Sequence, residues 1–310
     1  MSGLERKGNT MSRLNVGVIG AGRVGAVLAA KLRVAGHEIT AVSGRSHASS
    51  LRIRTLIPGV PTSDPSHVAA GCDILLIAVP DDSLIRVAEE LAATGLIHVG
   101  QVVAHTSGRH GLGALEALTR CGARPIALHP AMTFTGTDVD LDRVCVFGLT
   151  AADSEHDIAE SLVADLGGQS LWIGESERAL YHASLTHGAN HLVTLVSQSM
   201  DLLRRAGAAD PSSVLRPLLT AALDNALVYG DAALTGPVVR GDVTTIRAHI
   251  EAFADAQVPD ATVDAYLEMA RATTSHAVAD GRLSVSEANG VRRVLDEAEW
   301  DAMAELAAGI

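Results

Sequence analysis

Three glycines, Gly20, Gly22 and Gly25, in the run VGVIGAGRVGAVLAA over 16–30, constrain this chain more than any other feature. They form G-x-G-x-x-G directly after an apolar run, Leu14–Ile19, and open a helical period, Arg23–Ala35, that stops at Gly36. A strand entering a helix through such a turn predicts the first βαβ unit of a doubly wound sheet. Gly20 would allow the tight turn, Gly22 the approach of a pyrophosphate to the backbone, and Gly25 close packing of the helix. The backbone at Arg23 and Val24 falls in the same phosphate seat, where the helix N-terminus favours negative charge. A glycine turn in a scaffold without a ligand is the bland reading. Strand before and helix after favour a bound dinucleotide.

The alternation continues through the first half. Apolar runs at Glu38–Val42, Asp73–Val79, Gln101–His105, Arg124–Leu128, Val144–Leu149 and Gln169–Ile173 read as strands. Helical periods lie over Asp82–Thr94, Gly111–Arg120 and Glu155–Leu166. This pattern predicts an α/β fold, a doubly wound Rossmann domain with a parallel sheet, over residues 14–174. After Gly174 only helical periods remain, which predicts an all-α domain over 175–310. Its first element reads as one long helix, Glu177–Ala206, closed by Gly207. Asp210-Pro211 has N-cap and first-turn chemistry, and Ser284 with Glu287 has capping-box spacing. Residues 1–13 (MSGLERKGNTMSR) have no apolar core and read as a disordered leader, not a secretory signal.

Cofactor choice in such a domain is made after the second strand, where an acid takes the ribose 2′-OH of NAD. Here the segment is Thr40-Ala41-Val42-Ser43-Gly44-Arg45-Ser46, without an acid. Ser43, Arg45 and Ser46 instead offer hydroxyls and a guanidinium to a 2′-phosphate, which predicts NADP(H). Other strand ends should line the same crevice: Val79 and Pro80 with Asp81, His105 with Ser107, and His129 with Pro130. Asp81 could equally be a helix N-cap, and His105 could contact a sugar or nicotinamide.

Composition removes several alternatives. With 24 basic against 36 acidic residues the formal charge is −12, so a nucleic-acid partner is not expected. No apolar run is long enough to span a membrane. Lys7 and Lys31 are the only lysines, so no lysine can serve as proton donor in the second half. Cys72, Cys121 and Cys145 are widely spaced and form no CxxC pair, consistent with reduced thiols in a cytoplasmic protein. No GxSxG elbow is present, against Ser-His-Asp hydrolysis.

The set GVIGAGRVG, AVPDD, HTSG, LHPAMTF, YHASLTHGAN and LTGPVVRGD resembles one family of oxidoreductases that joins a Rossmann-like domain to domain of unknown function 2520. The resemblance spans nearly all of the chain after Leu14. It implies a fold similar to ketopantoate reductases, pyrroline-5-carboxylate reductases and 3-hydroxyisobutyrate dehydrogenases, and a homodimer through the helical domain. Some members are regarded as ketopantoate reductases acting in pantothenate synthesis. Hydroxyacid dehydrogenases of this fold carry Lys and Asn four residues apart on the interdomain helix. Asn190 matches the Asn, but Thr186 stands at the Lys position. His129-Pro130 also resembles a segment of prephenate dehydrogenases, in which a His and an upstream Ser, here Ser107, contact the reacting oxygen.

Reduction of a ketone needs a hydride, a proton for the alkoxide and donors around it. His129 is the first candidate for the proton, because histidine titrates near neutral pH. His187, Asn190, His191 and Thr194 would share one face of the long helix, with His187 and His191 as rivals. The bland alternative for this seam is hydrogen bonding between helices. The HxxxH spacing of the two histidines lacks a third ligand and a glutamate, so no metal is expected. Arg240, in the loop before Asp242, is the candidate clamp for a substrate carboxylate, and Asp242 the candidate cap of the next helix. Tyr181 and His182 could close a cleft or merely pack. The expected activity is NADPH-dependent reduction of a small 2-oxo acid, plausibly 2-dehydropantoate. The alternatives are a prephenate- or pyrroline-5-carboxylate-type enzyme, or a non-catalytic NADP-binding regulator.

Overall fold

The computed structural model describes residues 13–308, with side chains to residue 298. The expected leader at 1–13 therefore lies almost wholly outside the described residues. Seven strands alternate with helices in the first part of the chain. The strands are β1 Asn15–Ile19, β2 Glu38–Ser43, β3 Ile74–Ile77, β4 Val102–His105, β5 Arg124–Pro130, β6 Val146–Ala151 and β7 Gln169–Trp172. Between them run α1 Arg23–Val34, α2 His47–Leu56, α3 Pro65–Ala70, α4 Asp81–Ala93, α5 Glu116–Arg120 and α6 His156–Asp165. Helices α2 and α3 are additions to the sequence pattern. Each opens on a polar cap, Ser46 for α2 and Asp64 before Pro65 for α3.

The sheet order is β2-β1-β3-β4-β5-β6-β7. Strands β1 to β5 are mutually parallel, as the alternation predicts. Strand β6 is a correction, because it runs antiparallel to β5, with His129 opposite Gly148. A parallel return needs a crossover long enough to carry a helix. Between Pro130 and Val146 the chain forms only a short 3₁₀ turn at Asp138–Asp140, so β6 comes straight back. Helix α6 then supplies a true crossover, and β7 is parallel to β6.

The sheet is buried on both faces, which is why β3 reads as the unbroken apolar run Ile74–Ile77. Ile74 and Leu76 point into one layer with Val16, Val18, Leu28 and Leu162, under α1 and α6. Leu75 and Ile77 point into the other with Val68, Leu84, Leu91 and Leu118, under α3, α4 and α5.

Beyond β7 the chain is helical: α7 Arg178–Leu185, α8 His191–Arg205, α9 Pro211–Tyr229, α10 Val243–Asp255, α11 Asp260–Ala279 and α12 Val285–Ala308. The single helix expected over 177–206 is interrupted by a π turn, Thr186–Asn190. The local signals are where the sequence places them. Gly207 has φ +92°, Asp210 caps α9 through Ser212 and Ser213, and Asp242 caps α10 through Thr245. Ser284 and Glu287 cap each other reciprocally.

The chain divides into two units, the first ending at Ala189 and the second starting at Asn190. The strand pattern stops at Gly174, but α7 packs on the first unit through Arg178 and Tyr181, so that unit extends past the expected boundary. The second unit has its own core, in which Ile246, Leu267, Val291 and Leu295 meet between α10, α11 and α12.

Candidate active site at the carboxyl edge of the sheet

The glycine turn has the geometry its spacing requires. Gly20 has φ +99°, and a Cβ on it would lie 2.3 Å from the Ala78 carbonyl oxygen. A Cβ on Gly25 would lie 2.1 Å from the Gly20 carbonyl oxygen, so α1 packs against its own entry turn. Gly22 has open space where its side chain would be. The unpaired amides of the first turn of α1, at Arg23 and Val24, belong to this opening.

Beside the turn lies a cavity of about 410 Å³ lined by Gly20, Ser43, Gly44, Arg45, Val79 and Pro80, with Asp64, Ser83, Arg86 and Glu90 at its margin. Five of the expected cofactor residues (Gly20, Ser43, Arg45, Val79 and Pro80) are thus gathered in one place. Arg45 is exposed and has no ion-pair partner among the described residues. Ser43 is buried, and its carbonyl oxygen accepts from the amides of Gly20 and Ala21. Ser46 caps α2, accepting from the Ser49 amide.

The two acids at the margin are both engaged. Asp64 accepts from the amides of Ser66 and His67 and pairs with the His67 ring, whose hydrogen bond holds its carboxyl below the usual range. Glu90 pairs with Arg86 at 2.6 Å.

The residues after β5 form a wall that the sequence pattern does not show. Asp140 is fully buried and accepts from the Thr135 amide at 2.8 Å, the Gly136 amide at 2.8 Å and the Thr135 hydroxyl at 3.0 Å. Those bonds keep its pKa low despite burial. Gly136, at φ +78°, packs so near the first turn of α1 that a Cβ would lie 3.0 Å from Arg23 Cα.

The expected reacting groups lie farther along the same edge. His105 is a correction. It is fully buried, its Nε2 meets the Gly111 carbonyl at 3.0 Å, and its Nδ1 accepts from the Ser107 amide at 3.2 Å. Both ring nitrogens hold the following turn, which leaves no atom for a cofactor. Ser107 is only 5% exposed, and its hydroxyl accepts from the His110 amide at 3.2 Å. Its observed bonds shape the turn. Asp81 is not a cap either; it is the first residue of α4 and pairs with Arg109 at 3.5 Å.

His129 remains accessible, and its Nδ1 is 2.8 Å from the Tyr181 hydroxyl. The rings of Tyr181 and His182 both meet it edge-on. Burial, with the Arg178 and His182 charges, lowers the His129 pKa to about 4. The expectation that it titrates near neutrality is therefore corrected, since His129 is neutral at pH 7.

Sequence reasoning missed Arg178. Its guanidinium is fully buried and donates to the Thr150 hydroxyl at 2.9 Å and to the Ser107 carbonyl at 2.8 Å. Only the arrangement of the sheet shows this, because Arg178 and Ser107 are 71 residues apart.

His187 lies in the π turn, which replaces the 3.6-residue period on which the one-face seam with Asn190, His191 and Thr194 depended. Asn190 and His191 belong to the second unit and are exposed, as is Arg240. Among the described residues no three His, Cys, Asp or Glu side chains converge as a metal site would require.

Residues 2–130 match the model of the Rossmann-like domain, and residues 145–273 match that of a domain of unknown function, DUF2520. No curated protein matches the sequence. Among solved structures it is similar to BF3122 of Bacteroides fragilis, described as a candidate NADP oxidoreductase, with a TM-score of 0.71 at 19% identity, covering 84% of this chain and 98% of that one. An imine reductase from Pseudomonas sp. gives 0.61 at 19% identity, covering 93% of this chain and 100% of its own. A pyrroline-5-carboxylate reductase from Coxiella burnetii gives 0.53 at 16%, covering 93% and 98%. At these identities the likeness is one of fold.

Proposed function

We propose that this chain is an NADPH-dependent oxidoreductase that reduces a small 2-oxo acid, with 2-dehydropantoate the first substrate to try. The observation that carries the reading is the cavity beside Gly20, where Arg45 is unpaired and both marginal acids are engaged. A 2′-phosphate would find a guanidinium and the Ser43 hydroxyl there, whereas a bare ribose would find no free carboxylate. Gly22 and the first turn of α1 would hold the pyrophosphate, and Val79 and Pro80 would support the nucleoside. The dinucleotide, when bound, supplies the hydride. His129 would then face the substrate oxygen as a neutral N–H donor. Neutral imidazole is competent for this, because a carbonyl gaining electrons needs a donor and not a full charge.

The roles of His187, Asn190 and His191 in substrate contact belong to this proposal, as does Arg240 as a carboxylate ligand. Unchanged substrate affinity in Arg240→Ala would remove the clamp. The relatives of similar fold reduce C=N bonds by their names, so pyrroline-5-carboxylate and cyclic imines form the second reading.

Titration with NADPH and NADH tests the cofactor. We expect NADPH to bind tighter, and Arg45→Ala to lose about tenfold or more of that affinity, the scale of one charge-assisted hydrogen bond. A substrate panel of 2-oxo acids, prephenate and cyclic imines then separates the readings. Failure of both nucleotides to bind would end the enzyme reading, and binding without turnover would favour the regulator.

A cytoplasmic setting suits three free thiols. A homodimer suits α9, where Leu218, Leu227, Val228 and Tyr229 are 61–78% exposed.

A further inference from the structure

Arg178 is a buried cation with no ion-pair partner among the described residues; Glu175 and Asp81 act on it only from beyond salt-bridge distance. Its Nε has no partner, and its other contacts are the carbonyls of Gly148 and Ser107 and the Thr150 hydroxyl. A cation desolvated in this way is unfavourable unless negative charge forms nearby during function. A group that can acquire that charge is Tyr181, one turn along α7, and it and Arg178 act on each other electrostatically.

Tyr181 is itself placed by an absence. A Cβ on Gly148 would lie 2.5 Å from the Tyr181 hydroxyl oxygen, so only glycine lets the phenol sit over β6. Burial is the largest influence on the Tyr181 phenol and pushes its pKa up, while the Arg178 charge and the Gly148 backbone act the other way. With donors and positive charge gathered at that oxygen, its own proton points to His129 Nδ1, 2.8 Å away. His129 therefore carries its remaining proton on Nε2. That atom has no hydrogen-bond partner among the described residues and borders Gly108, where a Cβ would intrude to 2.9 Å.

We propose that His129 and Tyr181 form a two-proton relay that stands in for the missing lysine, with Arg178 and the Gly148 amide receiving the charge. This rests on the reductase reading above. As hydride from the dinucleotide reduces the substrate carbon, His129 Nε2 gives its proton to the developing alkoxide. His129 Nδ1 takes the Tyr181 proton in the same event. The imidazole ends neutral in its other tautomer, and Tyr181 ends as a phenolate beside Arg178. Water then returns one proton to Tyr181, and the ring tautomer resets. His129 is the catalytic residue in this scheme, while Arg178 and Gly148 are positioning residues.

The test begins on the full chain without nucleotide, labelled with ¹⁵N-histidine, with His129→Asn identifying the signal. The expected His129 signal at pH 7 is neutral with the proton on Nε2, and Tyr181→Phe shifts Nδ1 toward a free acceptor. A proton on Nδ1, or an imidazolium, at pH 7 overturns the relay. In the reductase reaction, Tyr181→Phe is expected to lower kcat at least tenfold with KM little changed. The solvent-isotope proton inventory is expected to be curved in wild type and linear in Tyr181→Phe. A linear wild-type inventory also overturns the relay. Either negative result leaves NADPH binding intact, whereas loss of binding would strike the reductase reading instead.

Discussion

At the scale of single residues, two histidines make the stability of the first unit depend on pH. Burial is the main cause that lowers His105 and His129 to about 4, from an ordinary value of 6.5. Below 6.5 the unfolded chain takes up protons that the folded chain refuses, so stability falls as pH falls. Their contribution is complete above about pH 6.5 and is lost progressively toward pH 4. Unfolding free energies from denaturant titrations across this range should fall steadily, by a total of a few kcal/mol. A flat profile between pH 7 and pH 5 would contradict the burial of these rings. His105→Asn should reduce the slope. Gly148 offers a second residue-scale prediction. Gly148→Ala should cost roughly 1–3 kcal/mol from overpacking, and it should break the His129–Tyr181 bond.

At the scale of elements, the loop between β5 and β6 decides two things at once. It lacks a helix, so β6 reverses, and the reversal brings Gly148 opposite His129. Its shape is held by Asp140, which satisfies two amides and a hydroxyl. Asp140→Ala should cost about 1–3 kcal/mol by leaving buried donors without an acceptor. Because Gly136 abuts Arg23, the same substitution should weaken nucleotide binding. Thermal unfolding and an NADPH titration measure the two effects, and normal affinity would separate the loop from the phosphate seat. The π turn Thr186–Asn190 is the other decisive element. It takes in His187 and Asn190 of the expected seam, and no spacing argument built on 3.6 residues survives it.

At the scale of the whole molecule, exposed apolar side chains cluster on α9, at Val214, Leu218, Leu223, Leu227, Val228 and Tyr229. Helix α9 buries only Pro211 and Leu215 of its 19 residues. Beside its polar row Ser212, Arg216, Thr220 and Asp224, the helix carries exposed apolar residues that need cover. If a second copy supplies it, light scattering should return twice the chain mass of 32.1 kDa. The unfolding midpoint should then rise with protein concentration. A monomer at all concentrations would exclude the homodimer. Among the described residues no helix is long and apolar enough to cross a membrane.

What could be read before any coordinates was what neighbours along the chain determine. The glycine turn at Gly20, the caps at Asp210, Asp242 and Ser284, and the stop at Gly207 each depend on a few consecutive residues. Strand and helix periods are equally local, so the Rossmann-like alternation and the change to helices were both legible. The absence of lysine from the second half was legible too, and it left the proton without a source. The tertiary structure alone decided which groups take its place. Arg178 meets Ser107 across 71 residues, Tyr181 meets His129 across 52, and Gly148 leaves the room for Tyr181. No pattern along the chain encodes such meetings, because they follow from which strand edges the sheet brings together. The same meetings set the protonation of His129, since a pKa records the charges and burial around a group.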